Sequence, residues 1–161
     1  MNYSIIKIGD IMNYKYTSRN ETDTMTLAQN FESEKFPNMV ICLDGELGSG
    51  KTIFTKGFAK ALGIEETITS PTFNVVKEYN TGELPLNHMD VDRLDEDDKT
   101  VGFNDYFTNG GITIIEWSDI IKDKLPEDRL EVKFNIIDEN TRVLVITPYG
   151  TAYEELCDSV L

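Results

Sequence analysis

The segment DGELGSGKTIF, at positions 44–54, combines three glycines with a lysine and a threonine. Gly45, Gly50, Lys51 and Thr52 match the pattern G-x-x-x-x-G-K-[ST]. The backbone N–H groups of such a loop form a nest for phosphate oxygens, and the helix N-terminus that follows also favours anions. Lys51 is expected to reach the β- and γ-phosphates, and the Thr52 hydroxyl to bind magnesium. The pattern therefore predicts a site for the triphosphate tail of a nucleotide.

Two carboxylates stand where acids are expected around such a tail. Asp90 follows the run LPLNHM and Glu116 follows GITII, so each comes at the predicted C-terminal end of a strand. Ligands of open α/β sheets bind at that edge. Either carboxylate can bind magnesium or order a water molecule. Each also has an ordinary explanation: Asp90 can be one more charge in an acidic surface run, and Glu116 can simply end a strand.

Hydrophobic periodicity divides the chain into alternating strands and helices. Strands are predicted at 14–18, 39–45 and 110–117, and hairpins over 70–91 and 128–149. Helices are predicted at 23–35, 51–63, around 97–107, 119–125 and 151–161. Buried strands, hairpins and helices together indicate an α/β three-layer fold with a mixed parallel and antiparallel sheet, in one domain over residues 1–161.

The composition narrows the possible partners and compartment. The chain has 161 residues and a formal net charge of -14, which disfavours direct binding to DNA or RNA. Its start, MNYSIIKIGD, lacks the features of a signal peptide, and no apolar run approaches the length of a membrane span. We expect no membrane association and a cytoplasmic location.

Four segments resemble those of one protein family. They are GELGSGKTIFTKGFAKALGI, TSPTFNVVKEY, HMDVDRL and IIEWSD, in the order and rough spacing of the bacterial TsaE (YjeE) family. The resemblance implies a P-loop NTPase fold and weak, magnesium-dependent ATP hydrolysis in the cytoplasm, stimulated by partner proteins. It also implies action with the TsaB and TsaD proteins in threonylcarbamoyladenosine modification of tRNA next to the anticodon, the tRNA being reached only through those partners.

The resemblance carries roles to individual residues. The residues implied to hold the phosphates are Gly45, Glu46, Leu47, Gly48, Ser49, Gly50, Lys51 and Thr52. Lys51, Asp90 and Glu116 are the implied catalytic residues, and Thr52, Asp90 and Glu116 the implied magnesium ligands. Residues 69–72 resemble a switch-like loop that senses the γ-phosphate. Trp117 matches a tryptophan beside the acid, although a core or interface position explains it equally well.

One position departs from the family, and two residues have ordinary interpretations. Asp92 precedes Arg93 where the family usually has tyrosine, so Asp92 is a second candidate for the role of Asp90. His88, the only histidine, is expected to be a packed or hydrogen-bonded strand residue. Arg142 aligns loosely with a family arginine near the nucleotide, but a solvated hairpin charge is the simpler expectation.

Two other functions share this type of loop. A small-molecule kinase needs cations over the transferred phosphoryl group, and the chain offers no arginine-rich lid segment. A guanine-nucleotide switch would carry an N-K-x-D segment, which is absent from the sequence. No motif contacts adenine directly, so the preference for ATP rests on the resemblance and on that absence.

Overall fold

An eight-stranded mixed sheet organises the chain. The computed structural model describes residues 3–9, 11–71, 75–92, 94 and 102–161. The strands are β1 (Tyr3–Ile8), β2 (Ile11–Ser18), β3 (Val40–Asp44), β4 (Val76–Tyr79), β5 (Leu86–Asp90), β6 (Ile112–Glu116), β7 (Arg129–Ile136) and β8 (Arg142–Tyr149). Their order is β1-β2-β8-β7-β3-β6-β5-β4. Strands β7, β3, β6 and β5 run parallel, and the other neighbours pair antiparallel.

Helices cover both faces of the parallel strands. The α-helices are α1 (Glu21–Ser33), α2 (Lys51–Leu62), α3 (Phe103–Phe107) and α4 (Thr151–Val160), and a 3₁₀ helix spans Ser118–Lys124. Strand β3 shows the two-sided burial, because Ile41 and Leu43 pack with α1, α2 and α4. Val40 and Cys42 pack on the opposite face, with α3 and the 3₁₀ helix. A strand buried on both faces needs a continuous apolar run, which VICL supplies.

The predicted three-layer α/β fold with a mixed sheet is confirmed. Both predicted hairpins form, as the antiparallel pairs β4–β5 and β7–β8. Helix α2 ends at Leu62, and Gly63 follows with φ +91°, a backbone conformation that glycine adopts without strain. The first helix begins at Glu21, two residues before its predicted start, because the Asn20 side chain accepts the N–H of Asp23 and caps it there.

The N-terminal strand was not predicted. Strand β1 pairs with β2 in a hairpin at the sheet edge, and β2 begins at Ile11, earlier than the predicted 14–18. Several predicted features lie partly or wholly outside the described residues: position 72 of the switch-like loop, residues 72–74 of the first hairpin, Arg93, and residues 97–101 of the helix predicted around 97–107. Of that helix, α3 is the described part.

Candidate functional site

The glycine loop joins the end of β3 to the start of α2, as predicted. Its glycines have positive φ values: +156° at Gly45, +80° at Gly48 and +113° at Gly50. A Cβ on Gly45 would lie 2.7 Å from Ser49 Oγ and 2.9 Å from Phe134 Cβ, so glycine is required where the loop leaves the sheet. At Gly48 a Cβ would meet no atom within 4 Å, so only its backbone conformation favours glycine there.

Lys51 is buried, and its ammonium group is held inside the loop. Its Nζ donates to the carbonyl oxygens of Gly45, at 2.5 Å, and Glu46, at 3.0 Å. The same Nζ lies 4.2 Å from the centroid of the Trp117 ring. Burial lowers the pKa of Lys51, and the negative charge of Glu116 opposes that shift. The loop therefore holds a partly desolvated cation against two of its own backbone carbonyl oxygens.

The two predicted carboxylates come together beside the loop. Asp90 and Glu116 are register partners at the ends of the parallel strands β5 and β6. The Thr52 hydroxyl donates to Glu116 Oε1 at 3.2 Å, which joins the start of α2 to the end of β6. Burial raises the pKa of Asp90, and Glu116 adds to that effect. These side chains give the site hard oxygen ligands, the kind that magnesium prefers.

The structure separates the two aspartates of the HMDVDRL segment, Asp90 and Asp92. Asp90 is half-buried and lines the same cavity as Glu116, whereas Asp92 is exposed. The backbone N–H of Asp92 donates to Asp90 Oδ1 at 3.1 Å. Asp92 therefore supports the Asp90 carboxylate through its main chain.

His88 is a hydrogen-bonded strand residue, as expected, but its partner was not predicted. Its Nε2 lies 2.5 Å from Glu116 Oε2, and both side chains are buried. His88 and Asp90 are two residues apart on β5, so they project from the same face of the sheet. That alternation, together with the parallel β5–β6 pair, was the signal that could have placed His88 near Glu116.

Trp117 turns the chain sharply after Glu116. Its φ is +62°, an uncommon value for a large residue, and its N–H donates to Leu43 O at 2.9 Å. Its ring lines a cavity of about 250 Å³ together with Ser70, Asp90 and Glu116, a set that we call the carboxylate side of the loop. Ser70 belongs to the predicted switch-like loop and is exposed.

A second cavity, of about 410 Å³, opens on the other flank of the loop. Its walls are the N-terminus of α1 and the β7–β8 turn. We call this flank of the loop the hairpin side. Apart from loop residues, the cavity is lined by Asn20, Glu21, Thr22, Thr24, Ile53, Glu139, Asn140 and Arg142. Arg142 donates to the carbonyl oxygens of Asp138, Glu139 and Thr141 in its own hairpin turn, as expected of a hairpin charge, and its guanidinium group also donates to Gly48 O at 3.1 Å. Residues from distant segments form this cavity, and no local motif marks it.

In the mixed sheet, a glycine loop links a buried parallel strand to a helix, and carboxylates stand at the ends of the neighbouring strands. This arrangement defines a P-loop NTPase fold. A crystal structure of YdiB from Bacillus subtilis is similar, with a TM-score of 0.82, 36% identity, and coverage of 95% of this chain and 97% of that one. The profile of the family described as threonylcarbamoyl adenosine biosynthesis protein TsaE matches residues 18–144. The chain belongs to the TsaE family.

Curated relatives agree with the family match. The tRNA threonylcarbamoyladenosine biosynthesis protein TsaE of Bacillus subtilis is 39% identical over 146 residues, covering 91% of this chain and 92% of the relative. The protein of the same name from Rickettsia felis is 38% identical over 130 residues, covering 79% and 75%. The chain is thus a member of a family of tRNA threonylcarbamoyladenosine biosynthesis.

Within the described part of the chain, no helix has the length and apolar character needed to cross a membrane.

Proposed function

We propose that the protein binds ATP with magnesium and hydrolyses it slowly, as the nucleotide-dependent component of threonylcarbamoyladenosine formation on tRNA. The observation that carries this proposal is the convergence of Lys51, Thr52 and Glu116 at one cavity beside the glycine loop. Family membership supports the same reaction context.

In the proposed complex, residues 45–52 bind the phosphates. The backbone N–H groups of the loop and the N-terminus of α2 contact phosphate oxygens. Lys51 exchanges the neutral carbonyl oxygens of Gly45 and Glu46 for anionic phosphate oxygens, which are stronger acceptors. This exchange lets Lys51 stabilise charge on the β- and γ-phosphates.

The oxygen ligands present fit magnesium in a nucleotide site. The described residues contain no cluster of three or more His, Cys, Asp or Glu side chains that could hold a metal ion. Magnesium at nucleotides, however, is usually held by one or two protein oxygens together with phosphates and water. Thr52, Glu116 and Asp90 supply such oxygens, and the bound ion would neutralise phosphate charge.

The catalytic residues in this proposal are Lys51, Glu116 and Asp90. Glu116 is held at the strand end by Thr52, so its carboxylate can orient a water molecule toward the γ-phosphate. Asp90 adds a second carboxylate on the same side of the loop. One cation and two carboxylates are a modest catalytic set, which agrees with slow hydrolysis.

We propose TsaB and TsaD as the partners through which the protein reaches tRNA. A net charge of -14 repels a polyanion, and Lys51, Lys56 and Lys60 of α2 are too few for strong phosphate-backbone binding. Leu47, at the tip of the glycine loop, is 89% exposed and lines the carboxylate-side cavity. A large apolar side chain at the mouth of the site suits a protein contact that depends on the nucleotide.

A mobility-shift titration at near-physiological salt tests this proposal, with the protein alone, with the TsaB–TsaD complex, and with ATP or ADP. We expect little tRNA binding by the protein alone and nucleotide-dependent association with the complex. Calorimetry on the same samples should show binding of MgATP. Sub-micromolar tRNA binding by the protein alone, or association with the complex regardless of nucleotide, would contradict the proposal.

A further inference from the structure

We propose that His88 is a positioning residue, whose Nε2–H holds the Glu116 carboxylate in the orientation needed for hydrolysis. This inference rests on the proposed catalytic role of Glu116. His88 is fully buried, the Glu116 side chain is 3% exposed, and Nε2 lies 2.5 Å from Oε2. A hydrogen bond to a carboxylate in such a dry environment is strong and directional.

The two Glu116 oxygens have different partners. The Thr52 hydroxyl donates to Oε1 at 3.2 Å, and His88 contacts Oε2. With one oxygen toward α2 and the other toward β5, the carboxylate is constrained in its rotation. Nucleotide binding would draw Thr52 toward the magnesium ion, and His88 would then be the contact that keeps Glu116 in place.

The other ring nitrogen indicates which tautomer is present. His88 Nδ1 is buried and has no hydrogen-bond partner among the described residues. A neutral imidazole has a single N–H, and a buried N–H without an acceptor is unfavourable. Placing the proton on Nε2 satisfies Glu116 and leaves Nδ1 as a bare acceptor. The surroundings therefore select the tautomer in which Nε2 donates.

A role in packing alone does not explain a histidine at this position. Leu86, on the same strand and face, and Ile114, the register partner of His88, are both buried and apolar. A buried polar side chain is costly unless it is hydrogen-bonded. Among the residues that the structure describes, the hydrogen bond that the His88 side chain makes is the one to Glu116.

Nitrogen NMR on the nucleotide-free protein tests the tautomer directly. The chain has one histidine, so ¹⁵N-histidine labelling reports on the His88 ring alone. We expect a protonated, hydrogen-bonded Nε2 and an unprotonated Nδ1, with the Nε2 signal shifting in Glu116→Gln. A proton on Nδ1 with a bare Nε2, or ring signals indifferent to Glu116→Gln, would overturn the proposal.

Two substitutions of similar polarity separate positioning from packing. In His88→Gln, the side-chain amide nitrogen can occupy the place of Nε2. In His88→Asn, the side chain is one methylene shorter, so its amide nitrogen does not reach Glu116. We expect His88→Asn to lower kcat about 10-fold or more with ADP affinity unchanged. His88→Gln should recover most of the lost rate, and thermal melting of both variants checks that they are folded.

The double variants with Glu116→Gln distinguish the possible failures. If His88 acts through Glu116, its substitution has no further effect on kcat in the Glu116→Gln background. A folded His88→Asn protein with parental kcat, beside a slowed Glu116→Gln, would overturn the role of His88 alone. Unchanged turnover in Glu116→Gln would instead refute the proposed role of Glu116. If His88→Asn fails to fold, the NMR result still decides the proposal.

Discussion

The two flanks of the glycine loop are built differently. The carboxylate side lies at the ends of parallel strands, where Glu116 is buried and held by Thr52 and His88. The hairpin side is formed by a helix N-terminus and a turn, where Glu139 and Asn140 are exposed. Fixed, desolvated groups suit chemistry, and an open, adaptable wall suits binding. We therefore propose that hydrolysis takes place on the carboxylate side, and that much of the nucleotide affinity comes from the hairpin side and the loop between them.

The largest expected effect is at the loop that both sides share. Lys51→Ala should weaken MgATP binding about 100-fold or more, because Lys51 is the cation proposed to meet the β- and γ-phosphates. Calorimetry measures the loss. Lys56→Ala, which removes an exposed lysine from the same helix, is the matched control and should bind as the parent does. Parental binding by Lys51→Ala would show that the phosphates lie elsewhere.

The next effect concerns the carboxylate side alone. Glu116→Gln keeps the size of the side chain but removes its charge, and should slow hydrolysis about 100-fold. Affinity for ADP should stay near the parental value. Assays of phosphate release measure the hydrolysis rate, and calorimetry measures the affinity for ADP. Asp119→Asn, which changes an exposed acid nearby, is the control. Normal hydrolysis in Glu116→Gln would move the catalytic role to Asp90.

Alanine substitutions at Gly45, where the loop leaves the sheet, and at Gly48, at its tip, should lower the stability of the protein by different amounts. Gly45→Ala should lower the free energy of unfolding by about 2 to 3 kcal/mol, because its Cβ would collide with Ser49 and Phe134. Gly48→Ala meets open space and should cost about 1 kcal/mol for its left-handed backbone. Urea denaturation of the pair tests this difference. Equal losses would mean that the loop does not rest on β7 as described.

The smallest predicted effect probes the hairpin side. Arg142→Ala removes the guanidinium group that contacts Gly48 O, and should weaken ATP binding about 10-fold through loss of a charged cavity wall. Lys133→Ala, an exposed cation of β7, serves as the control. ATP calorimetry at two salt concentrations measures both variants. Affinity equal to the parent would remove Arg142 from the binding site.

The sequence could predict the carboxylate side far better than the hairpin side. Lys51, Thr52, Asp90 and Glu116 each follow or belong to a local pattern, and strand ends of a parallel sheet meet at one edge. On the hairpin side, only a loose family resemblance pointed to Arg142, because Thr24 and Arg142 are far apart in the sequence and come to line one cavity only through tertiary packing. Likewise, β1 is an edge strand whose side chains at positions 4–7 are all exposed, so no apolar burial pattern marked it.

The most direct test of this division is single-turnover hydrolysis with the protein in saturating excess over ATP, with Glu116→Gln and Arg142→Ala measured side by side. Saturation removes differences in affinity, so the rate reports the chemical step alone. We predict that Arg142→Ala hydrolyses ATP at the parental rate, whereas Glu116→Gln is slower by about 100-fold. Equal slowing of both variants, or slowing of Arg142→Ala alone, would contradict the assignment of hydrolysis to the carboxylate side.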